Sequence, residues 1–248
     1  MEVKSAYRVL KIFELLSKNK SGLTIADISK KLDIPQSSTS NLIRTLYSSG
    51  YVARDEAKKY VLGVRLIQLG SVAMESFDIG AVAKPILQKL TQKVQETAFL
   101  AIRAQYEVVY ILKIDSNRSA NTTAQPGYHR PLYNTGLGKA FLSAMTREEQ
   151  EKIFSNIELK PVTKHTITDK NVLIRQLEQF KRQGYAIDDE ESEYGLYCIG
   201  TTISTVDKNI EAAISISGSK TRIISNKEAI IEDMFDAANE ISRKLGGK

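Results

Sequence analysis

Apolar residues recur at helical spacing through the first 95 residues, then fall into short continuous or alternating runs. Val9, Ile12, Phe13 and Leu16 predict an amphipathic helix over residues 5–17. Ile25, Ile28 and Leu32 form one face of a short second helix. Thr24, three residues before Asp27, supplies the spacing of a capping box at its start. Pro35 disfavours helical geometry in the residue before it, so Asp33-Ile34-Pro35 reads as a break. A third helix then runs over 36–48 and stops before Gly50, with Leu42, Ile43 and Leu46 directed inward. Residues 51–54 and 60–62 read as a β-ribbon around a charged turn, Asp55-Glu56-Ala57-Lys58-Lys59. Helices are predicted over 63–77 (Val64, Ile67, Leu69, Ala73) and 79–95 (Val82, Ile86, Leu87, Leu90, Val94), the second with Pro85 near its start, where proline costs least.

From Thr97 the texture is β-rich. Residues 97–104 and 108–114 are β-branched runs around a Gln105-Tyr106-Glu107 turn, and 130–134 reads as a short strand. Helices follow at 137–145, after a capping box at Thr146–Glu149, and at 169–183 before Gly184. Strands are expected at 185–187 and 197–206. Over 210–217, Ile210, Ala212, Ile214 and Ile216 alternate with Ala213, Ser215 and Ser217. A helix over 226–245 closes the chain. There is no internal repeat. The pattern specifies an α+β protein: a winged helix-turn-helix at 1–63, a linker helix at 64–78, and a second domain with an antiparallel sheet at 79–248.

Composition narrows the function. With 248 residues and 42% hydrophobic content the chain supports two cores. No apolar run reaches the roughly 18 residues that span a bilayer, and no signal peptide opens the chain, so no membrane partner is expected. One cysteine excludes an internal disulfide framework and points to reducing cytoplasm; with only two histidines, a zinc site is not expected, nor any other cofactor. The net charge of +6 is unevenly spread. Residues 1–75 carry 12 basic and 7 acidic side chains, the remainder 23 and 22. The positive field therefore lies on the segment with the helix pair, as in modules that bind polyanions.

The third helix presents Ser37, Ser40, Asn41 and Arg44 on one face with no acidic residue among them. Hydroxyls, an amide and a guanidinium can bond base edges and phosphates. Thr24, Gln36 and Ser38 complete the candidate face, and Arg54, Lys58 and Lys59 on the ribbon are placed for phosphate contacts.

Four features of the second domain suggest a pocket. Thr135-Gly136-Leu137-Gly138-Lys139 leads into a helix, whose first N–H groups favour an anion. It is not a Walker A motif: Ala140 follows the lysine, and Tyr133 stands where the earlier glycine would be. Residues 188–193 hold five acidic side chains, a run that ordinarily forms a solvated loop. Cys198 reads as a small buried residue or, with a base nearby, a nucleophile; neither His129 nor His165 is local to it. Ser215 and Ser217 share one side of a strand, where two hydroxyls could hold a carboxylate.

Taken together the chain resembles the IclR family of bacterial transcriptional regulators over nearly its full length. The resemblance rests on residues 23–29 (LTIADIS), 32–39 (LDIPQSST), 50–52 and 60–66 (YVLGVRL) in the first domain. In the second it rests on 130–142 (RPLYNTGLGKAFL), 184–191 (GYAIDDEE), 195–200 (GLYCIG) and 212–218 (AAISISG). It implies a winged helix-turn-helix that binds operator DNA, a GAF-like effector-binding domain, dimers through the DNA-binding half and tetramers through the other. It also implies an effector, a small organic acid or an aromatic metabolite, lying against Gly136, Leu137, Asp188, Leu196, Cys198, Ser215 and Ser217. This sequence departs from the family pattern at Tyr133 (usually histidine), Leu137 (usually alanine), Gly200-Thr201-Thr202 (usually Ala-x-Pro), and Ser119 and Thr122 in a segment more apolar in relatives responding to glyoxylate and pyruvate. The expectation is a repressor of a metabolic operon and not an enzyme. The alternatives are a GAF-like enzyme using Cys198 and Asp188, and an architectural DNA binder; the near-neutral second domain speaks against the latter.

Overall fold

A computed structural model describes residues 3–76, 79–117, 122–204 and 212–246. The chain divides into two compact units, residues 1–76 and 77–248. In the first, α1 (Lys4–Lys18), α2 (Ile25–Leu32) and α3 (Gln36–Ser48) bury Ile12, Leu16, Ile28, Ile43 and Leu46 against Val52 of a hairpin, β1 (Val52–Arg54) and β2 (Tyr60–Leu62). Leu42, expected inside, is only partly buried at the rim. The backbone groups of Leu23 and Tyr60 exchange two hydrogen bonds, at 3.0 and 2.8 Å, which fastens the approach to α2 onto the ribbon. Helix α4 (Val64–Ser76) follows; Phe77 and Asp78 of the expected linker lie outside the described residues, as does the side chain of Ala73.

The second unit is a six-stranded antiparallel sheet. Its members are β3 (Thr97–Ala104), β4 (Glu107–Ile114), β5 (His129–Pro131), β6 (Ala186–Asp189), β7 (Leu196–Ile203) and β8 (Ala212–Ser219), in the order β5-β4-β3-β8-β7-β6. Side-chain alternation sends Ala98, Leu100, Ile199, Ile214 and Ile216 into one core with α5 (Ile79–Val94) and α10 (Lys227–Lys244). The opposite face packs on α6 (Gly136–Ala144) and α8 (Lys170–Gln183) through Phe99, Ala213, Leu137, Phe141, Leu173 and Leu177. Helix α7 (Arg147–Phe154) opens on the expected capping box, Thr146 with Glu149.

Some boundaries differ from the sequence reading. The strand expected at 130–134 ends at Pro131, which has no N–H to continue the ladder. The strand expected at 185–187 extends through two aspartates to Asp189, because β6 pairs Asp188 with Cys198 and Asp189 with Tyr197. A short helix, α9 (Lys220–Ser225), capped by Ser219, was not legible. Val206 and Ile210 lie outside the described residues.

Candidate DNA-binding face and ligand cavity

The turn between α2 and α3 is locally determined. Thr24 Oγ1 accepts the Asp27 N–H at 3.2 Å while Asp27 Oδ2 accepts the Thr24 N–H at 3.1 Å. Asp33 ends α2 in the left-handed region (φ 52°), and the Ser29 hydroxyl donates to the Ile34 carbonyl at 2.6 Å. Pro35 then begins α3, and buried Thr39 donates to the Pro35 carbonyl at 3.2 Å, so it belongs to the core and not to the polar face. Gln36, Ser37, Asn41 and Arg44 are exposed, and Ser38 and Ser40 partly so. Ser38 Oγ accepts from Arg8 of α1 at 3.4 Å. At the ribbon tip Asp55 accepts from the Lys59 N–H at 2.7 Å. Lys58 takes a left-handed conformation (φ 63°), and Arg54 donates to the Lys58 carbonyl at 3.1 Å beside the Tyr60 ring. The basic side chains are thus carried on a closed tip.

In the second unit the register sets Asp188 opposite Cys198 and Cys198 opposite Ser217, a row across β6, β7 and β8; the next row pairs Gly200 with Ser215 and Ser215 with Phe99. Helix α6 lies directly on this patch. A side chain at Gly200 would stand 2.8 Å from the Gly136 carbonyl oxygen, and one at Gly138 would stand 2.2 Å from that of Leu132. Both glycines are thus required for close approach, which a lone glycine motif cannot distinguish from anion binding. Thr135 caps α6, its hydroxyl accepting the Gly138 N–H at 3.0 Å.

All seven residues named for the effector, Gly136, Leu137, Asp188, Leu196, Cys198, Ser215 and Ser217, line one enclosed cavity. It measures about 10 Å³, room for about one water. Phe99 and Tyr110, edge to face with centroids 5.3 Å apart, form an aromatic wall. Thr122, Thr135, Ser192, Glu193 and Arg130 complete the polar lining. Larger concavities, about 550 Å³ beside α5 and α10 and about 430 Å³ beside the β3–β4 turn, are open surface grooves. Four buried polar side chains, Thr135, Asp188, Ser215 and Ser217, line the small cavity.

Asp188 is wholly buried. It accepts the Glu191 N–H at 2.8 Å, the Ser192 N–H at 3.3 Å and the Ser192 hydroxyl. Burial pushes its carboxyl up to about 7, against the opposing pull of the Ser192 hydrogen bond and the Lys139 charge. Burial likewise raises the Cys198 thiol well above its ordinary value, and the Asp188 charge adds to it, while the Ser217 hydroxyl donates to Sγ at 3.1 Å. Cys198 is therefore a protonated thiol near neutral pH, unsuited to nucleophilic attack. His129 pairs with Glu107, and His165 meets Tyr194 edge to face.

The acidic run is a correction to the solvated-loop reading. Besides Asp188, Glu191 is buried and paired with the ammonium of Lys139, which is also buried and donates to Gln176 at 2.7 Å. Burial pushes the Lys139 ammonium down and the Glu191 charge holds it up. This pair ties α6 to the loop after β6. Neither it nor Arg130 and Glu193 was found from sequence as a site residue, although Arg130 and Lys139 stand in the motif 130–142 and Glu191 in 184–191.

These features define a winged helix-turn-helix protein joined to an α+β domain with an enclosed polar cavity. Residues 5–56 match the IclR helix-turn-helix domain, and residues 71–243 match the C-terminal domain of bacterial transcriptional regulators of the IclR type. The chain belongs to the IclR family: it is a DNA-binding transcriptional regulator and not an enzyme. It is 32% identical to the HTH-type transcriptional repressor AllR of Salmonella paratyphi A, over 97% of this chain and 89% of that protein. It is 32% identical to the IclR of Thermotoga maritima, whose crystal structure superposes with a TM-score of 0.74 over 99% of this chain and all of that one. An IclR homologue from Microbacterium hydrocarbonoxydans, solved in complex with 4-hydroxybenzoate, is 23% identical and shares the fold with a TM-score of 0.83 over 97% of this chain and 98% of that one. Among the described residues no helix is long and apolar enough to cross a membrane.

Proposed function

We propose that this regulator is a cytoplasmic repressor of a metabolic operon, released from or fixed on its operator by a small organic acid or an aromatic metabolite. The observation that carries the reading is the convergence, from three strands and one helix start, of Asp188, Cys198, Ser215, Ser217 and Gly136 on one enclosed cavity with an aromatic wall. Hydroxyls and a helix N-terminus suit oxygen atoms of an acid, and Asp188 suits its hydroxyl or a water. The repressor named above and the 4-hydroxybenzoate complex support the sign of control and the ligand class.

In this reading residues 1–63 bind DNA, 64–78 link, and 79–248 sense. A homodimer, extended to a tetramer through the second domains, sets two copies of α3 in successive major grooves, with Thr24, Gln36, Ser37, Ser38, Ser40, Asn41 and Arg44 facing the duplex and Arg54, Lys58 and Lys59 on phosphates. The ligand acts only through unequal affinity for the protomer arrangements. The test is gel mobility of the fragment upstream of the gene, with and without a panel of organic and aromatic acids. Specific retention that one acid alters is the expected result. Retention indifferent to every acid would remove the organic acids as ligand class, and absence of specific retention would place the operator away from the gene's own upstream region.

A further inference from the structure

A cavity with room for one water must widen before any acid enters, so what holds it closed decides what opens it. Arg130 is the one cationic side chain among its described lining residues, beside two carboxylates, Asp188 and Glu193. With Asp188 able to hold a proton near neutral pH, Arg130 and Glu193 already balance, and a carboxylate entering beside them would face net repulsion unless Glu193 withdrew. Asp188 is held by donors from its own loop, Glu191 and Ser192. That loop is further anchored at its base by the Thr163 and Thr166 hydroxyls, which donate to the Glu190 and Glu191 carbonyls at 2.7 Å each.

Glu193 is different: the donors to its carboxylate come from distant segments. The Thr123 N–H reaches it at 3.2 Å and the Thr123 hydroxyl at 2.9 Å, while Arg130 Nη2 lies 3.4 Å from Oε1 and donates to Thr123 Oγ1 at 2.6 Å. A backbone N–H, a hydroxyl and a guanidinium converging on one carboxylate make an anion receptor. Its occupant is a residue of the same chain, attached to a loop whose anchors are elsewhere, so rotation of the one side chain would vacate it. Arg130 and Glu193 are both partly buried, with side chains 32% and 18% exposed, so their pairing is less screened than a surface ion pair.

We propose that Glu193 is a built-in stand-in for the effector's carboxylate, holding the cavity shut by occupying the Arg130–Thr123 receptor until a carboxylic acid displaces it there. The proposal rests on the effector reading above and orients the ligand: its carboxylate meets Arg130 and Thr123, and its other oxygens meet Ser215, Ser217 and Asp188. Exchange of one carboxylate for another keeps every donor satisfied, which is why the receptor selects acids over neutral analogues. The closed pair lowers apparent affinity by the fraction of molecules in which Glu193 has left.

The test is calorimetric titration of the full-length protein, without DNA, with 4-hydroxybenzoate, pyruvate and the neutral analogue 4-hydroxybenzamide. Glu193→Gln, isosteric but uncharged, should bind at least one of the two acids about tenfold more tightly than wild type. The gain should vanish in the Arg130→Gln/Glu193→Gln double variant, and affinity for the amide should not follow it. Melting temperatures of the variants report whether they remain folded. Equal or weaker acid binding by Glu193→Gln, no binding by it at millimolar concentration, or a gain that survives loss of Arg130 would each overturn the proposal. An acid that shifts operator retention yet binds wild type and Glu193→Gln equally would overturn this latch and leave the effector reading standing. A gain in acid affinity with no acid acting on the operator would do the reverse.

Discussion

Asp188 shows how one side chain carries both stability and chemistry. Its neighbours Asp189 and Glu190 in sequence are exposed to different degrees, yet strand alternation turns Asp188 inward with Ala186, onto the face covered by α6. A carboxyl raised from the ordinary 3.8 to about 7 contributes stability that is complete below pH 3.8 and is lost as pH rises through about 7. Asp188→Asn, which mimics the protonated acid, should therefore lose ground at pH 4 or not at all, and gain on wild type between pH 4 and 7. The slope of that gain is at most about 1.4 kcal/mol per pH unit. Urea unfolding across that range measures it. A difference between the two proteins that does not vary with pH would mean that the three donors from Glu191 and Ser192 keep Asp188 ionised throughout.

At the scale of elements, α2 and α3 separate two roles that sequence alone assigns together. Thr24 belongs to the candidate DNA face by position, but its hydroxyl both accepts the Asp27 N–H and donates to the Asp27 carboxylate at 2.7 Å. Thr24→Ala should cost the first unit about 1 kcal/mol, largely restored by Thr24→Ser, as read by chemical unfolding. Equal stability of all three would show that α2 is fixed by packing alone. Arg44, exposed and without an acidic neighbour on its face, should behave otherwise. Arg44→Ala is expected to weaken operator binding by about 1–3 kcal/mol and relax specificity at one position, whereas Lys58→Ala should weaken all sequences alike and reduce the salt slope by about one. Equal losses on operator and random DNA for Arg44→Ala would reduce it to a phosphate contact. Most elements were legible because helical and alternating periods are local, and the capping boxes at Thr24 and Thr146 were local too. The short α9 was not, since Ser219 caps it only after β8 has ended. Nor was the network of Arg130 and Glu193, 63 residues apart, or the Lys139–Glu191 pair, 52 apart. No period marks a side chain whose partner lies in another element. The cavity's cross-strand row, by contrast, was half visible: period two placed Ser215 and Ser217 on one face, while only the register brought Asp188 and Cys198 beside them.

At the scale of the whole molecule, the first unit leaves apolar surface that a solitary chain has no use for. Helix α4 exposes Val64 and Ile67 at 67% and 68%, with Leu69 and Val72 also exposed, and α1 exposes Leu10 and Tyr7. Single exposed aliphatic residues need no explanation, but four within nine residues of one helix are apolar surface that the proposed dimer would bury. In the proposed dimer the occupant is a second copy of this chain, each copy setting one recognition helix on one half-site. The positive excess of residues 1–75 works in the same direction: two copies on one duplex double the phosphate contacts, whereas two copies off DNA repel each other and need apolar contact to offset it. Ile67→Glu should accordingly shift the protein from dimer toward monomer in sedimentation velocity, and lower operator affinity far more than affinity for a single half-site. A carboxylate at that position would lose its water in an apolar contact without a partner to compensate it. The second unit, whose cavity residues the substitution does not touch, should keep its affinity for 4-hydroxybenzoate or whichever acid it binds. A wild-type protein that sediments as a monomer, or an Ile67→Glu variant that remains dimeric with full operator affinity, would move the dimer contact away from α4 and onto another surface of the chain.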